Sequence, residues 1–349
     1  MAKIKFESFH SDTIILNPFK GFNEEVQRIE IRKDPLMGNT SVYNSGLKDK
    51  VKFFFGECDA RLINAMKEES AGSCIFCSDG IGENTPRYPA NLVREGRIKV
   101  GEAVLFPNLF PVAKYHAVIV LSKAHFLRLS EFSPALIENG LRAAQLFVNS
   151  VYSQDPTAQY VAVNANYLFP AGATLVHPHL QMLISPVAFS YHGRLIDASG
   201  DYYQRNGSSC FDDLVSEEKK SDSRYAAQKG RWHWLAAFSP MGINEIVGIH
   251  EKDSDFGLLS GDDMHDLSYG ISKVLGFYES LGHLSFNYSI MSVRNGHSEK
   301  GYRCMAKVIS RQNLYPNYRN DDYFLQKLLH SELIINLPEE LAPGLRKFF

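Results

Sequence analysis

An order of elements that occurs twice constrains this chain more than any single motif. The runs "EAVLFPNLFPV" and "HAVIVLSKAH" read as short strands around a Pro-bearing turn. "SPALIENGLRAAQLFVNSVYSQ" (133–154) opens with Ser133 as N-cap and Pro134 at the first helical position. Its apolar residues Leu136, Leu141, Ala144, Leu146 and Phe147 predict one buried helix face. "YVAVNAN" and "HPHLQMLIS" follow as two further strands. The same order returns as "HWLAAFSPMG", "NEIVGIHEKDS", a helix closing at Gly282, "LSFNYSIMSV" and "YRCMAKVISR", at an offset of about 132 falling to about 125 residues. A repeated strand–strand–helix–strand–strand unit predicts an α+β fold. Two tandem halves would form a mainly antiparallel sheet with packed helices.

The remaining segments are less regular. Residues 1–30 show no clear period. "VQRIEIRKDPLMGNTSVYN" (26–44) predicts two strands joined by a turn at residues 34–38. Residues 187–230 are polar and Gly/Ser-rich, with "SEEKKSDSR" at the centre. They read as a linker or an insertion with some helix, and the composition favours a solvated loop. The expected organisation is therefore an N-terminal half over 1–190, a linker or insertion over 191–230, and a C-terminal half over 231–349.

Bulk properties narrow the function classes. A chain of 349 residues is long for one core, which suits a domain built twice. A net charge of −2 without a basic stripe argues against a nucleic acid polymer as partner. No apolar run reaches the roughly 18 residues that span a bilayer, so no membrane is expected. The start carries no signal-peptide pattern. Five cysteines at irregular spacing argue against a disulfide framework and for a reducing cytoplasm.

The chemistry-bearing residues concentrate in the first copy. His177, His179 and Gln181 occupy alternate positions, so a strand would aim them into one space. Pro178 cannot donate to a ladder, which predicts an edge or an irregular strand start. Two adjacent imidazoles can bind a metal, exchange protons or attack as nucleophiles. Cys74 and Cys77 form a Cys-x-x-Cys pair, half of a tetrahedral zinc site. His125 and one histidine of the pair are candidates for the other ligands, with His116 competing for the place of His125. Cys58, Cys210 and Cys304 stand alone and are expected to be buried or inert. The second copy has Tyr302-Arg303-Cys304-Met305-Ala306 where the first has His177-Pro178-His179-Leu180-Gln181, so only the first would be reactive.

With "RKDPLMG", the Cys-x-x-Cys, "VLSKAH" and above all "NANYLFPAGATLVHPHLQ", the chain resembles the galactose-1-phosphate uridylyltransferase family of the histidine-triad superfamily. The resemblance covers about residues 28–186 and continues, more weakly, over about 230–340. It implies a nucleotidyltransferase that moves a nucleoside monophosphate from a UDP-hexose to a hexose 1-phosphate. His179 would be the nucleophile and Gln181 would hydrogen-bond the transferring phosphoryl group. Cys74, Cys77, His125 and His177 would hold a structural zinc. Asn166, Gly172 and Thr174 would line the phosphate path, and Asn108 and Phe110 would contact the nucleoside. A sugar nucleotide with a sugar phosphate or phosphate would be the substrates, and a homodimer the assembly.

Three departures from the family pattern bear on the substrate. The stretch "NTSVYNSGLKDKVK" offers Lys48 and Lys50 where the family has phosphate-gripping arginines. "RCMAKV" lacks the histidines of a second metal site. Leu168 stands where the family tends to have glycine. An ADP-sugar or dinucleoside polyphosphate phosphorylase, and a zinc-containing nucleotide-binding module without turnover, are the alternatives.

Overall fold

The computed structural model describes residues 4–50, 55–77, 80–296, 300–318 and 320–349, without the side chains of 48–50. A ten-stranded sheet carries the site. Its first five strands are β4 (Ile98–Val100), β5 (Ala103–Pro107), β6 (Tyr115–Val120), β7 (Tyr160–Tyr167) and β8 (His179–Ser185). The second five are β9 (Tyr225–Lys229), β10 (Trp232–Ala236), β11 (Ile246–His250), β12 (Phe286–Val293) and β13 (Met305–Ser310). Their order across the sheet is β4-β5-β6-β8-β7-β12-β13-β11-β10-β9, the same sequence of strands read from either edge. All pairings in this sheet are antiparallel, and β7 meets β12 at its centre. The expected α+β fold with two tandem halves is the observed one. Each half carries a fifth, outer strand that the repeat pattern did not reveal.

One long helix of each half packs on the same face of the sheet. Helix α3 (Pro134–Gln154) starts where Ser133 accepts the Leu136 N–H and Pro134 takes a position that needs no donor. Its buried face includes Ile137, Leu141, Ala144, Phe147 and Val151. Leu146, expected on that face, is 53% exposed, because the true stripe runs through positions 137, 141, 144, 148 and 151. Helix α6 (Gly261–Ser280) is the counterpart. Both approach the sheet closely through a glycine. A Cβ on Gly140 would lie 2.4 Å from Leu121, and one on Gly270 would lie 2.1 Å from the Trp234 ring.

The segment read as a linker or an insertion with some helix, for which composition favoured a solvated loop, is two helices, α4 (Ser190–Asn206) and α5 (Cys210–Ser221). Leu195, Ile196, Tyr202, Phe211 and Val215 bury an apolar face against Leu235, Val247, Ile249 and Met305 of the second half. Burial of several such side chains, each worth roughly 1.5–3 kcal/mol, outweighs a polar average composition. These helices cover part of the open sheet face in the second half. On the first half, the cysteine loop and Ile81 cover Phe106, Val118 and Val120 of the same face.

The other elements flank this sheet. Strands β1 (Glu7–Asn17), β2 (Asn23–Lys33), β3 (Thr40–Asn44) and β14 (Ser331–Ile334) form a small sheet in which β3 and β14 run parallel. The β2–β3 hairpin agrees with the expected strand–turn–strand. Helices α1 (Ala60–Ala71) and α2 (Ile81–Asn84) bracket the cysteine loop. Helices α7 (Phe324–Lys327) and α8 (Pro338–Arg346) lie near the C-terminus. Among the described residues, no helix is long and apolar enough to cross a membrane.

Candidate functional site

Alternation along β8 sends Leu180, Met182 and Ile184 into the core. His179, Gln181 and Leu183 therefore turn to the opposite, open face. Strand β8 sits fourth from the edge, so Pro178 marks an irregular start and not an edge strand. Its carbonyl accepts the Leu121 N–H at 3.1 Å, and the strand proper begins one residue later. His177 thus precedes the strand and serves a different centre from His179.

That centre is a compact set of four side chains. The ligand atoms of Cys74, Cys77, His125 and His177 all lie within 4.8 Å of one another. His177 Nδ1 is 3.6 Å from each sulfur, and His125 Nδ1 is 3.5 Å from the Cys77 sulfur. Bond lengths of roughly 2.3 Å to sulfur and 2.0–2.1 Å to nitrogen, at tetrahedral angles, place sulfur and nitrogen about 3.6 Å apart. The separations therefore fit a tetrahedral metal. The far side of each ring is already engaged. His177 Nε2 donates to the Ser122 carbonyl at 2.7 Å, and His125 Nε2 pairs with Ser70 Oγ at 2.8 Å. Each imidazole thereby turns its Nδ1 toward the sulfurs. Burial lowers the pKa of both histidines and keeps those lone pairs free. Burial and the neighbouring Cys74 sulfur push the Cys77 thiol up to about 11, so ionising the pair calls for a cation between them.

His179 is 8% exposed and 2.7 Å, through Nδ1, from the carbonyl of His177. A carbonyl can only accept, so Nδ1 carries the proton and Nε2 carries the lone pair. Burial lowers its pKa, the His177 carbonyl opposes that shift, and the ring stays neutral near pH 7. The Phe76 ring, from the cysteine loop, meets His179 edge-on at 5.3 Å. Phe76 also packs with Phe106, Val118 and Val120 as a small apolar wall.

Gln181 is oriented by His116, the residue that competed for a place at the metal. The Val112 N–H approaches His116 Nδ1 at 3.3 Å, which makes Nδ1 an acceptor and leaves the proton on Nε2. His116 Nε2 then donates to Gln181 Oε1 at 3.0 Å. With its oxygen occupied, Gln181 presents its NH2 group to the open face. The pairing of His116 with Gln181 was not visible in the sequence.

The open face forms a groove of about 680 Å³ whose floor includes Gln181, Asn164, Asn166, Asn287, Ser289, Lys307 and Arg311. Among the expected site residues, Gln181 and Asn166 line it. Asn108 stands beside it: its Oδ1 accepts the Phe110 N–H at 2.8 Å, which turns its NH2 toward His116 Nε2 at 3.3 Å, a contact of two donors that makes no hydrogen bond while Nε2 donates to Gln181. Phe110 is 79% exposed in the loop between β5 and β6. Gly172 and Thr174 lie on an exposed loop whose neighbour Ala171 reaches the groove. Leu168, just before this loop, adopts φ 67° and ψ 166°, a conformation that suits glycine. The unusual residue thus keeps the backbone a glycine would have. Lys48 and Lys50 have side chains outside the described residues.

The second half shows what the duplication became. The strand registers correct the sequence alignment by one residue: Lys307, not Ala306, stands where the first half has Gln181, Met305, not Cys304, where it has His179, and Glu245 where it has His116. The His116–Gln181 pair is thus mirrored by a Glu245–Lys307 ion pair at 2.7 Å. Next to the end of β11, the buried His250 and Asp263 lie with Asp253 in an arrangement of metal-ligand type. Arg231 already supplies the cation there, with Nε donating to Asp263 at 2.8 Å. Cys210 and Cys304 are buried, and burial pushes both thiols up. Cys58 is exposed and not buried, with its thiol also pushed up by desolvation.

No family model matches the sequence. An uncharacterised protein of Archaeoglobus fulgidus is 30% identical over 345 residues, which is 98% of each chain. The ADP-glucose phosphorylase of Arabidopsis thaliana is 29% identical over 103 residues, 30% of this chain and 29% of that protein. A solved structure of an ADP-glucose phosphorylase from A. thaliana with bound ADP-glucose matches with a TM-score of 0.69 at 20% identity. The match covers 91% of this chain and 99% of that one. A GalT-like protein from A. thaliana gives 0.67 at 19% identity, over 91% and 98%. A uridylyltransferase mutant gives 0.64 at 18% identity, over 91% and 97%.

Proposed function

Because the chain belongs to one family with the A. fulgidus protein and carries the galactose-1-phosphate uridylyltransferase-like fold, we propose that it is a nucleotidyltransferase working through His179. One observation carries the reading. His179 has its Nδ1 proton anchored on the His177 carbonyl, leaving Nε2 as a neutral nitrogen nucleophile, two residues along the same strand face from Gln181, which lines the polar groove.

The reaction has two halves. In the first, the Nε2 lone pair attacks the α-phosphorus of a nucleoside diphosphate hexose. The P–N bond forms, the P–O bond to the β-phosphate breaks, and hexose 1-phosphate leaves with that electron pair. The Nδ1 proton stays on the ring, and the His177 carbonyl stabilises the positive charge the ring acquires. In the second half, a phosphate oxygen of the acceptor attacks phosphorus, the P–N bond breaks, and neutral His179 returns. The NH2 of Gln181, held outward by His116, is aimed at the phosphoryl oxygens, whose negative charge it stabilises.

Cys74, Cys77, His125 and His177 would hold zinc, and four protein ligands make it a structural ion. Its place in the account is to fix His177, whose carbonyl positions His179. Thiolate ligands of this kind call for a reducing compartment, which supports a cytoplasmic location. A homodimer belongs to the same reading. Exposed apolar side chains on the β1–β2 hairpin, including Phe9, Ile14, Leu16 and Val26, support it.

Two donors compete. A UDP-hexose with a hexose 1-phosphate acceptor is the expectation from sequence. The likeness to ADP-glucose phosphorylase in both sequence and fold favours an ADP-hexose donor with phosphate as acceptor. Intact-mass spectrometry with UDP-, ADP- and GDP-glucose, at neutral to mildly alkaline pH, tests the function and names the base. The expected result is a gain of one nucleoside monophosphate, absent in His179→Ala. No gain with any donor would defeat the reading.

A further inference from the structure

The second half has no counterpart of His179, yet it reaches the first half's site through a chain of side chains of fixed polarity. Arg311 lies just beyond β13. Its Nε donates to Asp321 at 2.8 Å, and Nη2 pairs with the other oxygen of that carboxylate. Its Nη1 donates to Asn287 Oδ1 at 2.6 Å. A guanidinium has no lone pair to offer, so it settles which end of the Asn287 amide is oxygen. The NH2 of Asn287 accordingly faces the other way. It donates to the Ala171 carbonyl at 2.9 Å and to Asn166 Oδ1 at 2.7 Å. The Ala171 carbonyl, which can only accept, confirms the assignment from the opposite end. With its oxygen taken, Asn166 turns its own NH2 to the groove that it lines. One step along the register from the Ala165–Leu180 pair puts Asn166 beside His179.

We propose that Arg311 and Asn287 are positioning residues that aim the Asn166 amide at the phosphoryl oxygens of a nucleoside diphosphate sugar. The inference rests on the nucleotidyltransferase reading and deepens it. The second half has Met305 at the position matching His179, and it orients a donor in the first. Asn287 does two things with one amide, since its bond to Ala171 also pins the loop that carries Gly172. His116 orients Gln181 from within the first half, and Arg311 orients Asn166 from across the sheet. The two amides beside His179 are thus both presented by their nitrogen.

The test compares Asn287→Asp with Asn287→Ala. The Asp variant is isosteric and keeps the pairing with Arg311. Its second oxygen, however, cannot donate to Asn166. The Asn166 amide would flip to donate to the new carboxylate and would present its oxygen to the phosphate. The Ala variant merely frees the amide. Orientation therefore predicts that Asp is the more damaging of the two, whereas a role in packing alone predicts the reverse. Affinities for ADP-glucose and UDP-glucose are measured by calorimetry in the His179→Ala background, where no transfer can occur. The expected loss is about tenfold for Asn287→Ala, in line with one hydrogen bond. It is about a hundredfold for Asn287→Asp, where a donor becomes an acceptor against charge. Melting temperatures check folding, and Asn287→Ser replaces the Ala variant if the latter is unstable. An Asp variant that binds as well as the Ala variant or better would overturn the proposal. So would a protein that binds neither sugar nucleotide. Binding without adduct formation in the unmodified protein would defeat the transferase reading alone, and the order of the two variants would still decide this one.

Discussion

Replacing His116 by Phe tests whether the pairing at Gln181 contributes to the reaction. The ring is buried, so Phe keeps most of its volume and packing. What is lost is the 3.0 Å bond from Nε2 to Gln181 Oε1 and the 3.3 Å bond from the Val112 N–H. A net hydrogen bond is worth about 1 kcal/mol, which corresponds to roughly fivefold in rate. If the freed amide also turns its oxygen to the phosphoryl group, the loss extends to about thirtyfold. Deleting the donor itself in Gln181→Ala removes a group of oxyanion-hole type and is expected to cost about 10²–10³. The decisive comparison is the double variant. If His116 acts through Gln181, then His116→Phe costs nothing further on the Gln181→Ala background. The assay is the rate of adduct formation from the donor that labels the unmodified protein. Additive losses in the double variant, or no loss in His116→Phe, would refute the orientation argument.

Two other predictions address the metal centre and the pH dependence of stability. Ser70→Ala removes the partner of His125 Nε2, and metal affinity measured by competition with a chromogenic chelator should fall about 10-fold or more. An unchanged affinity would show that Ser70 does not support the ligand. Burial of Glu332 raises its pKa from 4.5 to about 7, against the opposing bonds from Leu333 N–H and Gln326. The folded form holds this proton above the pH at which the unfolded chain releases it. Stability therefore declines as pH rises from about 4.5 to about 7, by about 3 kcal/mol at most. Urea unfolding across that window should show the decline in the native protein and not in Glu332→Gln. Parallel curves would contradict it.

The fold was legible where one face of an element is buried and opaque where it is not. Strands β5 to β8 and β10 to β13 alternate or run apolar because the helices cover them. Strand β1 is exposed along nearly its whole length, so no periodicity marked it. Strand β4 is three residues long, too short for a pattern. Helices α4 and α5 hid behind Ser, Gly and charge. Their apolar residues Leu195, Ile196, Tyr202, Phe211 and Val215 are sparse but fall on the faces that pack. The four candidate metal ligands were legible from the Cys-x-x-Cys and the family resemblance. Gln181's partner His116, and the pair Asn287 and Arg311, were not. Their roles arise from pairing between strands far apart in sequence. The second copy gave no pointer either: aligned by sequence it sets Ala306 against Gln181, one residue short of Lys307, which stands opposite Glu245 just as Gln181 stands opposite His116.

The account stands on a nucleotide bound to one nitrogen of one histidine. The protein is to be charged with its sugar nucleotide at mildly alkaline pH, digested, and mapped by tandem mass spectrometry, with a parallel sample chased by hexose 1-phosphate or inorganic phosphate. The account predicts a nucleoside monophosphate on the peptide containing His179, carried by that imidazole and removed by the chase. A nucleotide on another residue, or an adduct that persists in His179→Ala, would contradict it.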